Sequence, residues 1–439
     1  MANKLILHIL LANILWSFVP ILAYPLFNEV SILSIIFLRF FISGIVLLII
    51  ALILIVYNNR FIKNEKISLK LILHFLKHKN KRFFRARNIF YFTAIGFFGI
   101  ILQLIFFFLT IKLTSITFTI IGFLLSIVII AIYEKSTYSE KFDVFKVIYI
   151  IILVFTSILI LEVAITGSLI IGSPISLNAT MYMILFSVSI SFLYIAINKD
   201  TLSKIEAELI NKNKLYKVPR SLLKISISFL TGIFLMFIFL TIILILPFET
   251  DITQEALLFF SELQNISSIL LRWEIQLLVI FSTIIPYILV YFANANWRST
   301  SLTYSQWNSI LNLIDPMGSL ILAVLLVNEY FPIEILIITI FLLVIAIIIR
   351  HAHETKNLVQ AILLINLEKG AMENIPVKLL KYNGIFQVNS ITGTHDLILN
   401  VKTNNIREFY YLINNRLRTL SEIINIKILF INKIIELQP

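Results

Sequence analysis

The 439-residue chain is 59% hydrophobic and 14% charged, with a mean hydropathy of +0.97. Soluble globular domains carry nearer about 25% charged residues, so this composition excludes one and defines a polytopic membrane protein. The net charge of +12 points to basic loops on a membrane surface before nucleic acid, and the absence of cysteine excludes disulfides, thiolate metal sites and cysteine nucleophiles.

Taking about 17–25 apolar residues per crossing, ten spans are expected. They lie near Leu5–Pro25, Ile32–Tyr57, Ile89–Ile111, Ser115–Ile132, Val144–Ile165, Ala179–Asn198, Ile225–Pro247, Ile275–Phe292, Thr303–Asn328 and Ile333–Arg350. The first follows Lys4 without a small-residue cleavage site, so it is expected to be a retained span.

Loop charges set the orientation. Asn58–Asn88 holds ten Lys/Arg against Glu65, and Lys199–Lys224 holds seven Lys/Arg against three carboxylates. Phe248–Glu274 has Arg272 against Glu249, Asp251, Glu255, Glu262 and Glu274. The positive-inside rule then puts the two basic loops and both termini in the cytoplasm of a multi-pass cell-membrane protein. The N-x-[ST] sequons at Asn178 and Asn265 fall outside in that topology. Lys66–Leu76 is basic and amphipathic, either a headgroup-bound helix or a solvated linker.

Beyond Arg350 the composition changes. His351–Asn357 reads as a polar linker, and 358–439 as a small soluble domain. Strands are expected at Leu358–Leu367, Ile385–Ile391, Asp396–Val401 and Ile426–Ile435, with helices at Gly370–Leu380 and Asn404–Leu420. That order, βαββαβ, is ferredoxin-like and α+β. The fold class is therefore an all-α bundle of ten transmembrane helices plus this domain.

The bundle divides into two halves of five spans, 1–165 and 178–350. Ser115–Leu161 overlays on Leu302–Arg350, with Glu134 and Glu329 at matching helix ends. An odd span count inverts the second copy, a common plan of secondary transporters. The halves differ where Pro316 stands in one and Ile121 in the other, so a charged site is expected in the second half only.

That site is Thr303–Tyr330. Asn308, Asn312 and Asp315 follow i, i+4, i+7 and share a helical face. A carboxylate at membrane depth costs at least about 2.5 kcal/mol unless it meets water or a partner. Asp315 is therefore either a substrate or proton-coupling residue or a counter-ion to Arg39. Pro316 removes one helical hydrogen bond near Asn312 and is expected to kink the helix, as is Pro20 in the first span. Arg39 either joins the site or snorkels outward. Trp16 is too deep for an interfacial belt and either faces the site or packs. Gln103 either lines the same site or bridges helices. Tyr287 and Tyr291 read as packing, Glu134 and Glu329 as structural, and His8 as locally satisfied.

The segments ANILWSFVPILAYPLF, LRFFISGIVLLI and LIDPMGSLILAVLLVNEYFPIEIL resemble the EamA-type members of the drug/metabolite transporter superfamily over residues 1–350. The match rests on Trp16 in the first span, Arg39–Phe40 in the second, and the acidic-Pro run ending in Glu329. The fourth span lacks the corresponding Pro, and the two basic loops are unusually long. This resemblance implies a secondary transporter of small metabolites, often an exporter. The tail resembles the effector-binding (RAM, ACT-like) domain of the leucine-responsive regulatory protein/AsnC family, with Gly393-Thr394-His395-Asp396 matching its G-x-x-D turn. That resemblance implies an amino-acid effector, bound near those four residues, and a homodimer. The family's helix-turn-helix is absent, so DNA binding is not implied. Asp396 could instead fix its turn, with Gly393 supplying the tight bend.

No phosphate-binding loop, zinc spacing or hydrolase elbow occurs in the sequence. The expectation is a non-enzymatic, cofactor-free and metal-free transporter, exporting small metabolites or amino acids under control of its tail. The alternative is a membrane receptor that signals amino-acid levels through the tail to a soluble partner.

Overall fold

The computed structural model describes residues 2–61, 88–138, 144–171, 174–198, 216–246, 249–297, 302, 304–356, 359–368, 370–380, 382, 384–403 and 406–430. Among these lie ten helices long and apolar enough to cross a membrane: Lys4–Asn28, Ile32–Arg60, Asn88–Leu113, Ile116–Tyr133, Val144–Ile170, Leu177–Ala196, Lys217–Ile245, Trp273–Asn296, Tyr304–Leu326 and Ile333–Thr355. They are spans 1 to 10 below. Residues 62–87 and 199–215, with the amphipathic Lys66–Leu76, lie outside the described residues.

Two boundaries differ from expectation. Span 7 begins at Lys217, not Ile225, because the basic turn KVPRSLLK is itself helical and Lys217 Nζ donates to the Asn294 carbonyl at 3.1 Å. The linker expected at 351–357 is helical through Lys356. An ion pair from Arg350 to Glu354 (2.8 Å) and a bond from Thr355 Oγ1 to the His351 carbonyl (2.9 Å) carry the last turns onward.

The chain forms two compact units. One holds 3–296 and 311–347; the other holds 297–310 and 348–439.

In the first unit, four spans depart from regular α-helix. Span 1 breaks at Ser17–Phe18, between helices Ala2–Trp16 and Val19–Ala23, with Pro20 in the new first turn, where its missing N–H costs nothing. Spans 3 and 8 each contain a π segment, Ile95–Ile101 and Ile280–Ile284, opening two turns into its helix. Span 9 is interrupted at Asn312–Leu313, and the helix restarts at Ile314 with Asp315 and Pro316 in its first turn. The expected kink is thus a full break. Pro316 cannot donate to the carbonyl four residues back, at Asn312, so the chain reopens there.

Spans 2 and 7 pack along each other; span 3 lies against spans 7 and 6, and span 8 against spans 2 and 1. Span 4 contacts span 6, span 9 contacts span 1, and spans 4 and 9 touch. Small residues set the closest approaches. A Cβ on Gly96 would collide with the Ser228 carbonyl oxygen, and Ser226 Oγ donates to the Gly44 carbonyl at 2.7 Å.

The acidic segment expected as the loop Phe248–Glu274 is folded. Thr250 caps a helix over Asp251–Glu262, followed by short turns to Leu270. Two of its carboxylates, Glu255 and Glu262, turn inward to the start of span 2, while Asp251 meets the Tyr182 hydroxyl of span 6 at 3.1 Å. Glu262 accepts from the Ser31 amide (2.9 Å) and Glu255 from the Ile32 amide (2.8 Å), while Lys112 pairs with Glu255 at 2.5 Å. Each carboxylate satisfies helix N-terminal N–H groups that have no partner within the helix. Glu329 does the same for span 4, accepting from the Ile116 and Thr117 amides at 2.7 and 2.9 Å. Its structural reading holds, but its supposed counterpart differs. The span 4 helix runs on to Tyr138, so Glu134 is interior to it, and the Glu134 side chain lies outside the described atoms.

In the second unit, the tail is a four-stranded antiparallel sheet of order β2-β3-β1-β4, with β1 Val359–Leu367, β2 Ile385–Ser390, β3 Leu397–Thr403 and β4 Ile423–Phe430. Leu363 pairs with Leu399 on one side and Ile428 on the other. Alternation buries Ala361, Leu363, Ile365 and Leu367 of β1 with Leu397, Leu399 and Val401 of β3, under Phe409 and Leu417. This topology is the expected ferredoxin-like one. The helix expected at Gly370–Leu380 is shorter, a 3₁₀ turn Ala371–Glu373 and a helix Ile375–Leu379, because Pro376 can occupy only a first helical turn. The second helix is Ile406–Leu412 continued by a π turn to Leu417, and Ile431–Ile435 lie outside the described residues.

Candidate functional site

Arg39, seven residues into span 2, does not snorkel. It is 4% exposed, and its Nε donates to Thr283 Oγ1 (2.7 Å) and one terminal nitrogen to the Ser282 carbonyl (2.9 Å). Both acceptors belong to the π segment of span 8. There the local geometry explains the availability of the Ser282 carbonyl. Its α-helical donor would be residue 286, which is a proline and has no N–H. The other terminal nitrogen, Nη1, is buried with no hydrogen-bond partner among the described residues, as is the Oγ of Ser282, whose carbonyl Arg39 binds. An unmet buried donor costs about 1–3 kcal/mol, so two at one place need a reason.

Asp315 stands in the first turn of the restarted span 9. One oxygen is 3.5 Å from Ser319 Oγ, a long contact, and no other hydrogen bond to its carboxylate occurs among the described residues. Asp315 is within electrostatic reach of Arg39, yet no ion pair forms between them. The direct counter-ion arrangement is therefore absent, with two of the three guanidinium nitrogens bonded to span 8. Tyr194 of span 6 is in electrostatic reach of Asp315, and Tyr287 of Arg39. The break in span 1 meets this turn. Ser319 Oγ donates to the Ser17 carbonyl at 3.2 Å, and a Cβ on Gly318 would come within 2.7 Å of Ser17 Oγ.

Trp16, the last residue before the span 1 break, packs edge-on to Tyr287 with ring centroids 5.6 Å apart. Tyr287 also contacts Phe229 and Tyr291. Asn312 is half-buried and its Oδ1 is inaccessible without a partner, three residues before Asp315. Asn308 has the same unmet oxygen and belongs to the second unit. Gln103 is half-buried in span 3 and makes no hydrogen bond among the described residues. His8 is satisfied by its own turn, bonding the Lys4 carbonyl at 2.5 Å.

The structure thus gathers Trp16, Arg39 and Asp315 and adds three residues that the sequence reading passed over. Tyr287 reads as packing in the sequence. Tyr194 was missed, although Ser187, Ser191 and Tyr194 form a polar stripe on span 6. Ser282 carried no signal except Pro286 four residues on.

In the tail, Gly393 has φ +140, a conformation that side chains rarely adopt, and an added Cβ would meet open space. Asp396 secures the turn. Its Oδ2 accepts from the Leu367 amide at 2.7 Å, its own amide donates to the Ile365 carbonyl, and Ile391 donates to its carbonyl. Thr394 and His395 are tied to Asn366 by its amide and carbonyl groups respectively. Asp396 is thereby occupied by backbone, while Gly393 and Thr394 stay exposed.

The fold and these sites define a multi-pass membrane protein with a small antiparallel domain at its C-terminal end. Residues 360–437 match the family model of the Lrp/AsnC ligand binding domain, so the tail is such a domain, and its class implies binding of a small-molecule effector. No curated protein matches the chain.

Proposed function

We propose that the protein is a secondary active transporter of small metabolites, acting as an exporter and regulated by an amino acid bound to its cytoplasmic tail. The observation that carries this reading is the meeting of two interrupted helices, spans 1 and 9, beside the half-satisfied Arg39–Asp315 cluster. Broken helices at a polar midplane site are how many transporters expose backbone and charge to cargo. Regular helix would have met every backbone group internally.

Three further observations support it. Exchanging the two five-span halves maps contact 3–7 onto 8–2, contact 3–6 onto 8–1, contact 4–6 onto 9–1, and 4–9 onto itself. The π segments of spans 3 and 8 are counterparts in the same exchange and open at the same depth. The EamA-like segments include Trp16, Arg39 and Asp315, three members of the cluster. The reading has both termini in the cytoplasm, a homodimer through the tail, and no catalytic step. An effector that binds one transport state better than another shifts the balance between them.

Counterflow of a labelled solute panel in proteoliposomes tests it. Exchange that disappears in Asp315→Asn, with the fold intact, is the expected result. No flux of any solute, with ligand binding by the tail preserved, would replace the transporter with a membrane receptor.

A further inference from the structure

Span 9 changes company at its break. Its first half, Tyr304–Leu311, belongs except for Leu311 to the unit that holds the tail, while the half restarting at Ile314 belongs to the other unit. Span 10 divides likewise, with 348–356 counted with the tail. Within the tail's unit these two helix ends are tied together. Gln306 Nε2 donates to Glu354 Oε2 at 2.8 Å, and Arg350 donates to Ser309 Oγ at 3.1 Å. Arg350 and Glu354 are themselves paired at 2.8 Å, and the Trp307 and His351 rings meet with centroids 5.5 Å apart. The paired side chains are only 11% and 13% exposed, so water screens them little. The connection to the tail is short. Only Asn357 and Leu358 separate Lys356, the last residue of the helix, from β1 at Val359, a reach of at most about 11 Å. β1 is a central strand bonded to both β3 and β4, so it moves with its domain.

We infer that the first half of span 9 is the moving part through which the tail acts on transport. The Gln306–Glu354 and Ser309–Arg350 ties transmit the displacement, and the break at Asn312–Leu313 is the hinge. This deepens the regulation proposed above and rests on it. A rearrangement of the tail on binding its effector displaces the end of span 10, and the ties bring the start of span 9 with it. An unbroken helix would have to move as one rod. The break lets one half turn against the other, with Asn312 and Asp315 at the joint. Two settings of this hinge, one favoured with effector bound, are what a shift in transport balance requires.

Because the chain has no cysteine, spin labels can be placed at Ser305→Cys and Leu325→Cys, exposed positions on the two halves of span 9. The probe is a mixture of the common amino acids added to the full-length protein in nanodiscs, and the readout is the distance between the labels. The mixture should shift that distance in the chain otherwise unaltered. Gln306→Ala combined with Ser309→Ala removes both ties and leaves the Arg350–Glu354 pair in place. The shift should then disappear, while amino-acid binding by the tail and basal flux in proteoliposomes are retained. An unmoved distance in the unaltered chain, or a shift that survives the double variant, overturns the link. Gln306→Ala alone disturbs the fold less and should weaken the shift; an undiminished one removes that residue from the link. Failure of the transporter reading shows separately. No flux of any solute, with the shift present and then lost in the double variant, would leave the same link at work in a receptor.

Discussion

Carboxylates stand in two unlike settings in this bundle, at the start of a span and inside one. Glu255, Glu262 and Glu329 are each consumed by backbone amides at the start of a span. Asp315, in the first turn after the break in span 9, keeps a single long contact, and Arg39 gives its bonds to span 8. A carboxylate at a span start completes a helix end. A carboxylate left incomplete inside a span adds little to stability by itself, and the proposed site rests on that difference.

Asp315→Asn breaks this contrast most directly. Gradient-coupled flux should fall by about 100-fold or more, as for loss of an interaction essential to the transported state, with little change in melting temperature. If flux survives, Asp315 joins the structural carboxylates.

Glu255→Ala should do the opposite, lowering stability and leaving the site's selectivity unaltered. Breaking a buried pair costs about 3–5 kcal/mol, reduced toward about 2 kcal/mol here because Lys112 is 30% exposed. Thermal unfolding in detergent measures the loss, and a value near zero would deny the capping role.

Removing residues 359–439 should leave basal flux in place and abolish its response to amino acids. A truncated bundle that cannot transport would make the tail an assembly element. Within the tail, Asp396→Ala should destabilise the domain by about 1–2 kcal/mol through loss of the Leu367 amide bond, measured by denaturant unfolding.

The smallest effect concerns Glu422. Its own backbone amide, and then Lys378 at 3.2 Å, hold the carboxyl below its ordinary value. A depressed folded value means stability present above the unfolded pKa and lost as pH falls through the folded one. Glu422→Gln should therefore lower tail stability slightly at neutral pH and not at all in strong acid. A difference that persists in acid would point to packing instead of charge.

Much of this architecture is legible in one dimension. Apolar length locates ten spans because a bilayer demands an unbroken run, and Pro316 marks the break in span 9 because a missing N–H acts on its own helix. Period-2 alternation likewise locates β1 and β3. The departures are where a local rule met a distant partner. Arg39 reads equally well as a snorkelling end or a buried donor, and only span 8, 243 residues away along the chain, chooses the second. The acidic loop reads as exposed charge, yet Glu262 reaches Ser31 across 231 residues.

By itself, then, the sequence determined the crossing helices, the strands and the tight turns, since hydropathy and backbone chemistry are properties of neighbouring residues. The tertiary structure decided which polar groups are spent and which remain free. Ser282, Tyr194 and Tyr287 gain their meaning only there, because whether a buried donor has an acceptor depends on which helices meet.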